Sequence, residues 1–122
     1  MKNVILIVAI LMLISGCRPN TIQPSFEGNW KGTYTGTGDN GSWEVVITSA
    51  GAVSGSATSI TFSQTYSAVG TVTGNGQISI TFGTASSGAV FQGTLSGNSG
   101  SGTWVNNSRT PPYTGSWSGK KQ

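Results

Sequence analysis

The sequence predicts an all-β domain, an eight-stranded antiparallel up-and-down meander that forms a closed or nearly closed barrel. Three observations predict it. From Phe26 onward, apolar and polar residues alternate with a period of two, and the helical period of about 3.6 is almost absent. Turn sequences rich in Gly, Asn, Asp and Ser separate these runs at hairpin spacing. A chain of 122 residues, with 19 glycines and only 7% charged residues, suits one domain.

The first four runs each carry alternate residues that we expect to face the interior. Gly38-Asp39-Asn40-Gly41 turns the first run into the second, because these residue types tolerate the backbone of tight turns. Ile60 and Phe62 follow the third run, and the pattern leaves open whether they extend that strand or belong to a loop. The inward sets are Phe26, Gly28, Trp30, Gly32 and Tyr34; Trp43, Val45 and Ile47; Val53, Gly55 and Ala57; and Tyr66, Ala68, Gly70 and Val72.

The second half of the chain continues the same pattern. Gly74-Asn75-Gly76 is its clearest hairpin turn, because Asn-Gly suits the type I′ turn that matches strand twist. Residues 106–112 form a predicted loop that contains Arg109. The inward sets are Ile78, Ile80 and Phe82; Ala89, Phe91, Gly93 and Leu95; Gly102 and Trp104; and Tyr113, Gly115, Trp117 and Gly119. The opposite face carries Val46, Val69, Val90 and Val105, which would indicate a contact surface only if they cluster.

The connections predict how the barrel closes. Hairpin-length turns exclude a parallel sheet, which needs long crossovers, and pairing of the first strand with the eighth removes both exposed edges. Glycine within a strand costs about 0.5–1 kcal/mol relative to alanine, so its repeated use on the inner face needs a compensating gain. We expect that gain to be space for large rings in a narrow barrel. The alternative is that glycine opens space for a ligand.

The N-terminus predicts an export signal and a lipid anchor. A basic start precedes the apolar run Val4–Ile14, which is too short to span a bilayer as a helix of about 20 residues. Ile14-Ser15-Gly16-Cys17 resembles the lipobox of bacterial lipoproteins. The resemblance implies a signal peptide at residues 1–16 and lipid attachment, with acyl chains such as palmitate, at Cys17. An ordinary secretory signal or an uncleaved anchor is the alternative.

The predicted domain organisation follows from that signal. Residues 17–25 hold the lipidated Cys17 and a flexible tether that reaches on the order of 25 Å when extended, and residues 26–122 form the barrel. The residue after the cysteine is Arg18 rather than the aspartate of inner-membrane lipoproteins. The resemblance therefore implies a bacterial envelope protein, anchored through its lipid in the outer membrane and facing the periplasm or the exterior.

Composition excludes most enzymatic chemistry. The chain has no histidine, one cysteine and three carboxylates, which are Glu27, Asp39 and Glu44. Histidine-based triads, multi-ligand zinc sites and paired-carboxylate glycosidases therefore lack their residues. We expect no catalytic residue, no metal and no cofactor. The formal charge of +3 comes from scattered basic residues, so it does not predict nucleic-acid binding, which needs a basic stripe.

Five aromatic residues are the candidate ligand-binding set. Side chains of this kind line pockets for small apolar ligands and form platforms for sugar rings, although on alternating strands they also form ordinary cores. The five are Trp30, Tyr34, Trp43, Trp104 and Trp117.

Part of the chain resembles the calycin-type barrels, the avidin and lipocalin group. The resemblance rests on Gly28-Asn29-Trp30 and on the hairpin from Trp43 to Gly55, and it implies an eight-stranded barrel. Gly32 and Ala57 stand where avidin-like barrels carry a polar residue and a tyrosine. A biotin site is therefore not implied.

These observations predict a lipid-anchored envelope protein with a non-enzymatic β-barrel that has a binding or structural role. Its partner would be a small apolar ligand or a glycan held by the aromatic residues. The alternative is a protein-interaction or inhibitor lipoprotein whose aromatic residues only form the core. A cavity of about 300 Å³ or more near the tryptophans would favour the first reading, and a filled interior the second.

Overall fold

A computed structural model describes residues 26–83 and 88–122, and in this part eight strands form a closed antiparallel barrel in sequential order. The predicted fold class is therefore confirmed. The predicted signal peptide, Cys17 and the tether lie outside the described residues. The strands are β1 (Gly28–Gly36), β2 (Asn40–Ile47), β3 (Ala52–Ser59), β4 (Gln64–Val72), β5 (Gln77–Phe82), β6 (Ala89–Ser96), β7 (Ser99–Asn106) and β8 (Tyr113–Lys121). Within the described ranges, no helix is long and apolar enough to cross a membrane.

The barrel closes between the first and the last strand, as the turn pattern predicts. β1 and β8 pair antiparallel from Trp30, which faces Lys121, to Gly36, which faces Gly115. Every other strand pairs with its neighbours in the chain, so each strand has two hydrogen-bonded partners. The wall therefore has no free strand edge.

The core is the inner face of this wall. The predicted alternation is confirmed, because the large apolar residues of the inward sets are buried. Gly55 keeps the inward register, because it pairs with the buried residues Val45 and Ala68, although its own backbone is exposed.

Six inner glycines form three cross-strand pairs, and an indole ring covers each pair. The covering rings leave no room for a larger residue: a Cβ on Gly115 would lie 2.6 Å from Nε1 of Trp104, and a Cβ on Gly119 would lie 2.3 Å from Cζ2 of Trp43. These glycines therefore make space for rings rather than for a ligand. The pairs are Gly32 and Gly119 under Trp43, Gly36 and Gly115 under Trp104, and Gly93 and Gly102 under Trp117.

The rings also pack against one another across the barrel. Trp43 meets Trp117 edge to face, with centroids 5.6 Å apart and ring planes at 87°. Phe91 lies at the centre, 4.5 Å from Phe82 and 6.0 Å from Trp104 between centroids. Because each ring fills space left by glycines or by other rings, little of the interior remains empty.

The two ends of the barrel differ. At one end, which we name the closed end, the turns 48–51, 73–76 and 97–98 have four, four and two residues. The described chain enters there at Phe26, whose buried ring packs 6.5 Å from that of Trp30. At the other end, named the open end, the connections 37–39, 60–63, 83–88 and 107–112 have three, four, six and six residues. The two six-residue connections give the open end more loop surface, which can vary without disturbing the core.

The outward valines lie in one band around the wall. The band follows the strand register and alternates valine with small hydroxyl residues; Val46 and Val69 are exposed, whereas Val90 and Val105 are half-buried. Its members in register order are Val46, Ser54, Val69, Thr81, Val90 and Val105.

Candidate functional site

A hollow at the open end is the candidate site. It encloses a cavity of about 30 Å³, and the space measured outward to solvent is about 450 Å³. A water molecule needs about 10–15 Å³ of such cavity volume, so the enclosed part holds no more than a very small group. The hollow is lined by Tyr34, Asp39, Ala57, Phe62, Tyr66, Phe82, Gly88, Ala89, Phe91, Trp104, Asn106 and Arg109.

The structure separates the five aromatic residues of the candidate ligand-binding set. Tyr34 and Trp104 line the hollow. Trp30, Trp43 and Trp117 lie deeper and do not line it. All five are buried, with at most 5% of their surface exposed. Only two members of the set could therefore touch something bound at the open end.

The indole N–H groups show how the tryptophans are used. Trp30 donates to the carbonyl of Phe26 at 2.8 Å, which fastens the entering chain to the closed end. Trp104 and Trp117 donate to strand carbonyls at 3.1 Å. The N–H of Trp43 is buried without a hydrogen-bond partner among the described residues. Three of the four indole N–H groups therefore donate to backbone carbonyls of the domain itself.

Asp39 organises the rim of the hollow through hydrogen bonds. One carboxylate oxygen accepts from the Ser59 hydroxyl at 2.7 Å and from the Asn40 N–H at 2.8 Å. The other accepts from the Tyr34 hydroxyl at 3.2 Å. Ser59 is the buried polar residue of the described core. The charge of Asp39 is therefore balanced by three neutral donors, without a basic side chain.

Tyr34 is held as a neutral donor. Burial of its hydroxyl, followed by the negative charge of Asp39 beside it, raises the pKa of Tyr34 well above its usual range. Both causes disfavour the phenolate, because a second negative charge in this partly dry hollow would lack solvation and meet the carboxylate. The Tyr34 proton therefore stays in its bond to Asp39 at physiological pH.

The same network positions the loop 60–63. The Phe62 N–H donates to the Ser59 hydroxyl at 3.0 Å, and the Ile60 N–H donates to the Asn40 carbonyl at 2.9 Å. Ile60 and Phe62 consequently belong to a loop rather than to an extension of β3, which answers the question that the sequence pattern leaves open. Asp39, through Ser59, thus fixes the backbone that carries the Phe62 ring.

Arg109 lies between two rings of the rim. Its guanidinium carbon is 4.6 Å from the centroid of Phe62 and 5.6 Å from that of Tyr113. The Tyr113 ring packs in turn on Gly38, where an added Cβ would lie 2.4 Å from the ring. Gly38 also has a φ of +80°, a conformation that glycine adopts without strain. This glycine is therefore needed both for the turn and for the ring above it.

Sequence reasoning missed most of this rim. Phe62, Tyr66 and Arg109 line the hollow but are absent from the predicted binding set, and Asp39 is predicted only as a turn residue without a catalytic role. One available signal is the length of the connections 83–88 and 107–112, which have six residues each and lie at the same end of a meander. That signal locates the rim without identifying the contacts that form it.

Comparisons with known proteins assign no role to the hollow. No protein-family model matches the chain, and no curated protein matches it significantly. Among residues 26–83 and 88–122, no group of three or more His, Cys, Asp and Glu side chains could hold a metal ion. The role of the open end must be inferred from the chemistry of its own residues.

Proposed function

We propose that this chain is a lipid-anchored protein of the bacterial cell envelope whose barrel is a non-enzymatic module that binds a partner protein through its open end. The lipobox-like segment Ile14–Cys17 supports the anchor. The observation that carries the binding role is the contrast between a filled interior and an open end with a charged and aromatic rim.

The filled interior supports a partner outside the barrel over a ligand inside it. Pockets for small molecules measure about 300–1,000 Å³, whereas the cavity at the open end is about 30 Å³. Two depressions of about 410 and 390 Å³, the larger beside Trp30, are lined mainly by outward-facing residues of the wall and do not open the interior. The tryptophans occupy the space that an enclosed apolar ligand or glycan would need. Among the two roles that the sequence predicts, the geometry favours the one in which the deep aromatic residues are core.

The placement of charge supports an orientation for the bound partner. Lys31 faces Lys120 across the seam between β1 and β8, and Lys121 follows beside Trp30 near the closed end. Each lysine near an anionic membrane surface contributes about 1 kcal/mol of attraction. With the tether joining the barrel at Phe26, the closed end turns toward the lipid and the open end away from it.

The lipid anchor is tested by replacing its attachment site. We expect the wild-type chain to incorporate labelled palmitate and to sediment with membranes, and Cys17→Ser to lose both properties. Arg18→Gln is the matched control, because it alters the neighbouring residue and leaves the thiol in place. Membrane sedimentation of Cys17→Ser equal to that of the wild type would contradict the anchor.

The binding role is tested by photo-crosslinking in intact cells. A photoreactive residue at Asn107 would report on the open end, and one at Ser49 on the closed end, since both positions are exposed in connections. We expect a discrete adduct containing a second polypeptide from position 107 and not from position 49. A position-107 adduct containing only glycan or lipid, or no adduct at all, would contradict a protein partner at the open end.

A further inference from the structure

At the open end, the guanidinium of Arg109 contacts two aromatic rings rather than a carboxylate of the described residues. The four open-end connections contain two charged residues, Asp39 and Arg109. Both carboxylate oxygens of Asp39 are engaged by neutral donors. No carboxylate of the described residues forms an ion pair or a hydrogen bond with Arg109. The guanidinium of Arg109, which has no carboxylate partner among the described residues, is therefore available to bind an anion.

The geometry around Arg109 leaves its donors accessible. The guanidinium carbon lies over the rings of Phe62 and Tyr113, and Arg109 is exposed, so its N–H donors can be reached from solvent. The N–H donors lie in the plane of the guanidinium, where their fork matches the two oxygens of a carboxylate. Asp39 and Ser59 hold the loop that carries Phe62, and Gly38 packs against the ring of Tyr113. Because these two rings are fixed, the Arg109 side chain has lost part of its conformational freedom before a partner binds.

We propose that Arg109, Phe62 and Tyr113 form a binding site for the carboxylate of an Asp or Glu side chain on the partner protein, and this proposal rests on the function proposed above. The carboxylate would accept two hydrogen bonds from the guanidinium. The apolar residues beside it on the partner would cover Ile60 and the mouth of the hollow.

The charge balance of the hollow favours a carboxylate over a phosphate. Asp39 lines the same hollow as Arg109, so any bound anion also meets a negative charge. A phosphate with nearly two charges would meet about twice the repulsion of a carboxylate, with only one arginine to offset it. A single planar carboxylate matches the single planar cation.

The shape and apolar surface favour a protein segment over a free carboxylate. The cavity of about 30 Å³ cannot enclose a ligand, so whatever binds must lie mostly on the rim. Ile60, two residues before Phe62, is 68% exposed. It would remain exposed to solvent if only a small free carboxylate were bound. A partner segment with an apolar residue next to its acidic one would bury both. Aromatic and arginine residues at the centre of a contact are the usual source of affinity in protein interfaces.

The test uses the full chain, purified in nonionic detergent and labelled with nitrogen-15 for NMR. The probe is the peptide N-acetyl-Leu-Asp-Leu-amide, and its isostere N-acetyl-Leu-Asn-Leu-amide is the neutral control. The signals to follow are the Nε–H of Arg109 and the indole N–H of Trp104, which lines the hollow. Arg109→Gln removes the charge, Arg109→Lys keeps the charge without the planar fork, and Lys120→Gln removes the same charge at the other end.

We expect saturable shifts of both signals with the aspartate probe. The apparent Kd should rise about ten-fold for the asparagine probe and for Arg109→Gln, less for Arg109→Lys, and remain unchanged for Lys120→Gln. Equal binding of both probes, equal binding by Arg109→Gln and wild type, or no shift with either probe would overturn the carboxylate site. Should Arg109→Gln fail to fold, Arg109→Lys still gives the comparison.

The crosslinking experiment separates failure of this site from failure of the proposed function. Under the present proposal, Arg109→Gln lowers the yield of the position-107 protein adduct at least five-fold. A position-107 adduct that persists undiminished in Arg109→Gln would overturn the carboxylate site and leave the open end as a protein-binding surface. Loss of the adduct from the wild-type chain would overturn both.

Discussion

The closed end and the open end of this barrel are stabilised by different means. At the closed end, short turns surround the buried rings of Phe26 and Trp30, and burial of apolar surface provides the stability. At the open end, the connections 37–39 and 60–63 are joined through the carboxylate of Asp39, which accepts from Tyr34, Ser59 and Asn40. The difference shows how one small domain is held by two kinds of contact: buried apolar rings stabilise the closed end, and a polar network positions the loops of the open end.

The largest effect expected from this comparison is at Trp30. Only 1% of this side chain is exposed, so Trp30→Ala leaves a cavity and should lower the free energy of unfolding by about 3–5 kcal/mol. Ile60→Ala, at the exposed open end, is the control and should change it by less than about 0.5 kcal/mol. Urea unfolding followed by circular dichroism measures both. Similar losses from the two variants would remove the distinction between the ends.

Asp39 should give the next largest effect. Asp39→Ala leaves the hydroxyls of Tyr34 and Ser59 without an acceptor, which costs about 1–3 kcal/mol of unfolding free energy. Asp39→Asn retains one acceptor oxygen and should lose less. The same urea experiment compares them, and NMR signals of the closed end should stay in place in both variants. An Asp39→Ala protein as stable as the wild type would show that the network does not hold the rim.

The ionisation of Tyr34 sharpens the comparison at high pH. Its raised folded-state pKa means that it contributes stability below about pH 10, the value of an unfolded tyrosine, and that this stability declines as the pH rises above that value. Tyrosinate absorbance during an alkaline titration should show a late step, above about pH 10, that belongs to Tyr34. Tyr34→Phe should remove the late step. A wild-type titration identical to that of Tyr34→Phe above about pH 10 would contradict the buried hydrogen bond to Asp39.

The smallest expected effect is that of Arg109 on stability. Its guanidinium contacts Phe62 and Tyr113 at an exposed site, so Arg109→Gln should change the unfolding free energy by no more than about 0.5–1 kcal/mol. Thermal unfolding of Arg109→Gln beside Lys120→Gln measures this difference. A loss as large as that of Asp39→Ala would make Arg109 a structural residue of the rim rather than one reserved for binding.

Much of the wall could be predicted from the sequence because alternation is a local property. Each residue of a strand faces the side opposite to its neighbours, so Trp43, Val45 and Ile47 share a face whatever the rest of the chain does. For the glycine pairs, the sequence allows two interpretations: they make room for packed rings, or they make room for a ligand. The choice depends on where rings from other strands lie, and the residues along one strand do not contain that information.

The candidate site was harder to predict because it is built from contacts between loops. Ser59 and Asp39 are 20 residues apart, and their hydrogen bond exists only once β1, β2 and β3 are in register. The Phe62 N–H donates to the same Ser59 hydroxyl, and the loop after β7 brings Arg109 over the Phe62 ring. Alternation gives no information on residues between strands, so the residues that form the rim could not be predicted from the strand pattern.

The seam between β1 and β8 constrains how the molecule is made. Its two strands are the most distant in the chain, and they meet along seven residue pairs. Because contacts of such long separation form slowly, the nascent polypeptide must pass through a stage in which both border strands expose unpaired backbone groups. During that interval the chain is vulnerable to joining another copy. The seam between β1 and β8 cannot be completed until synthesis has reached Lys121, which pairs with Trp30.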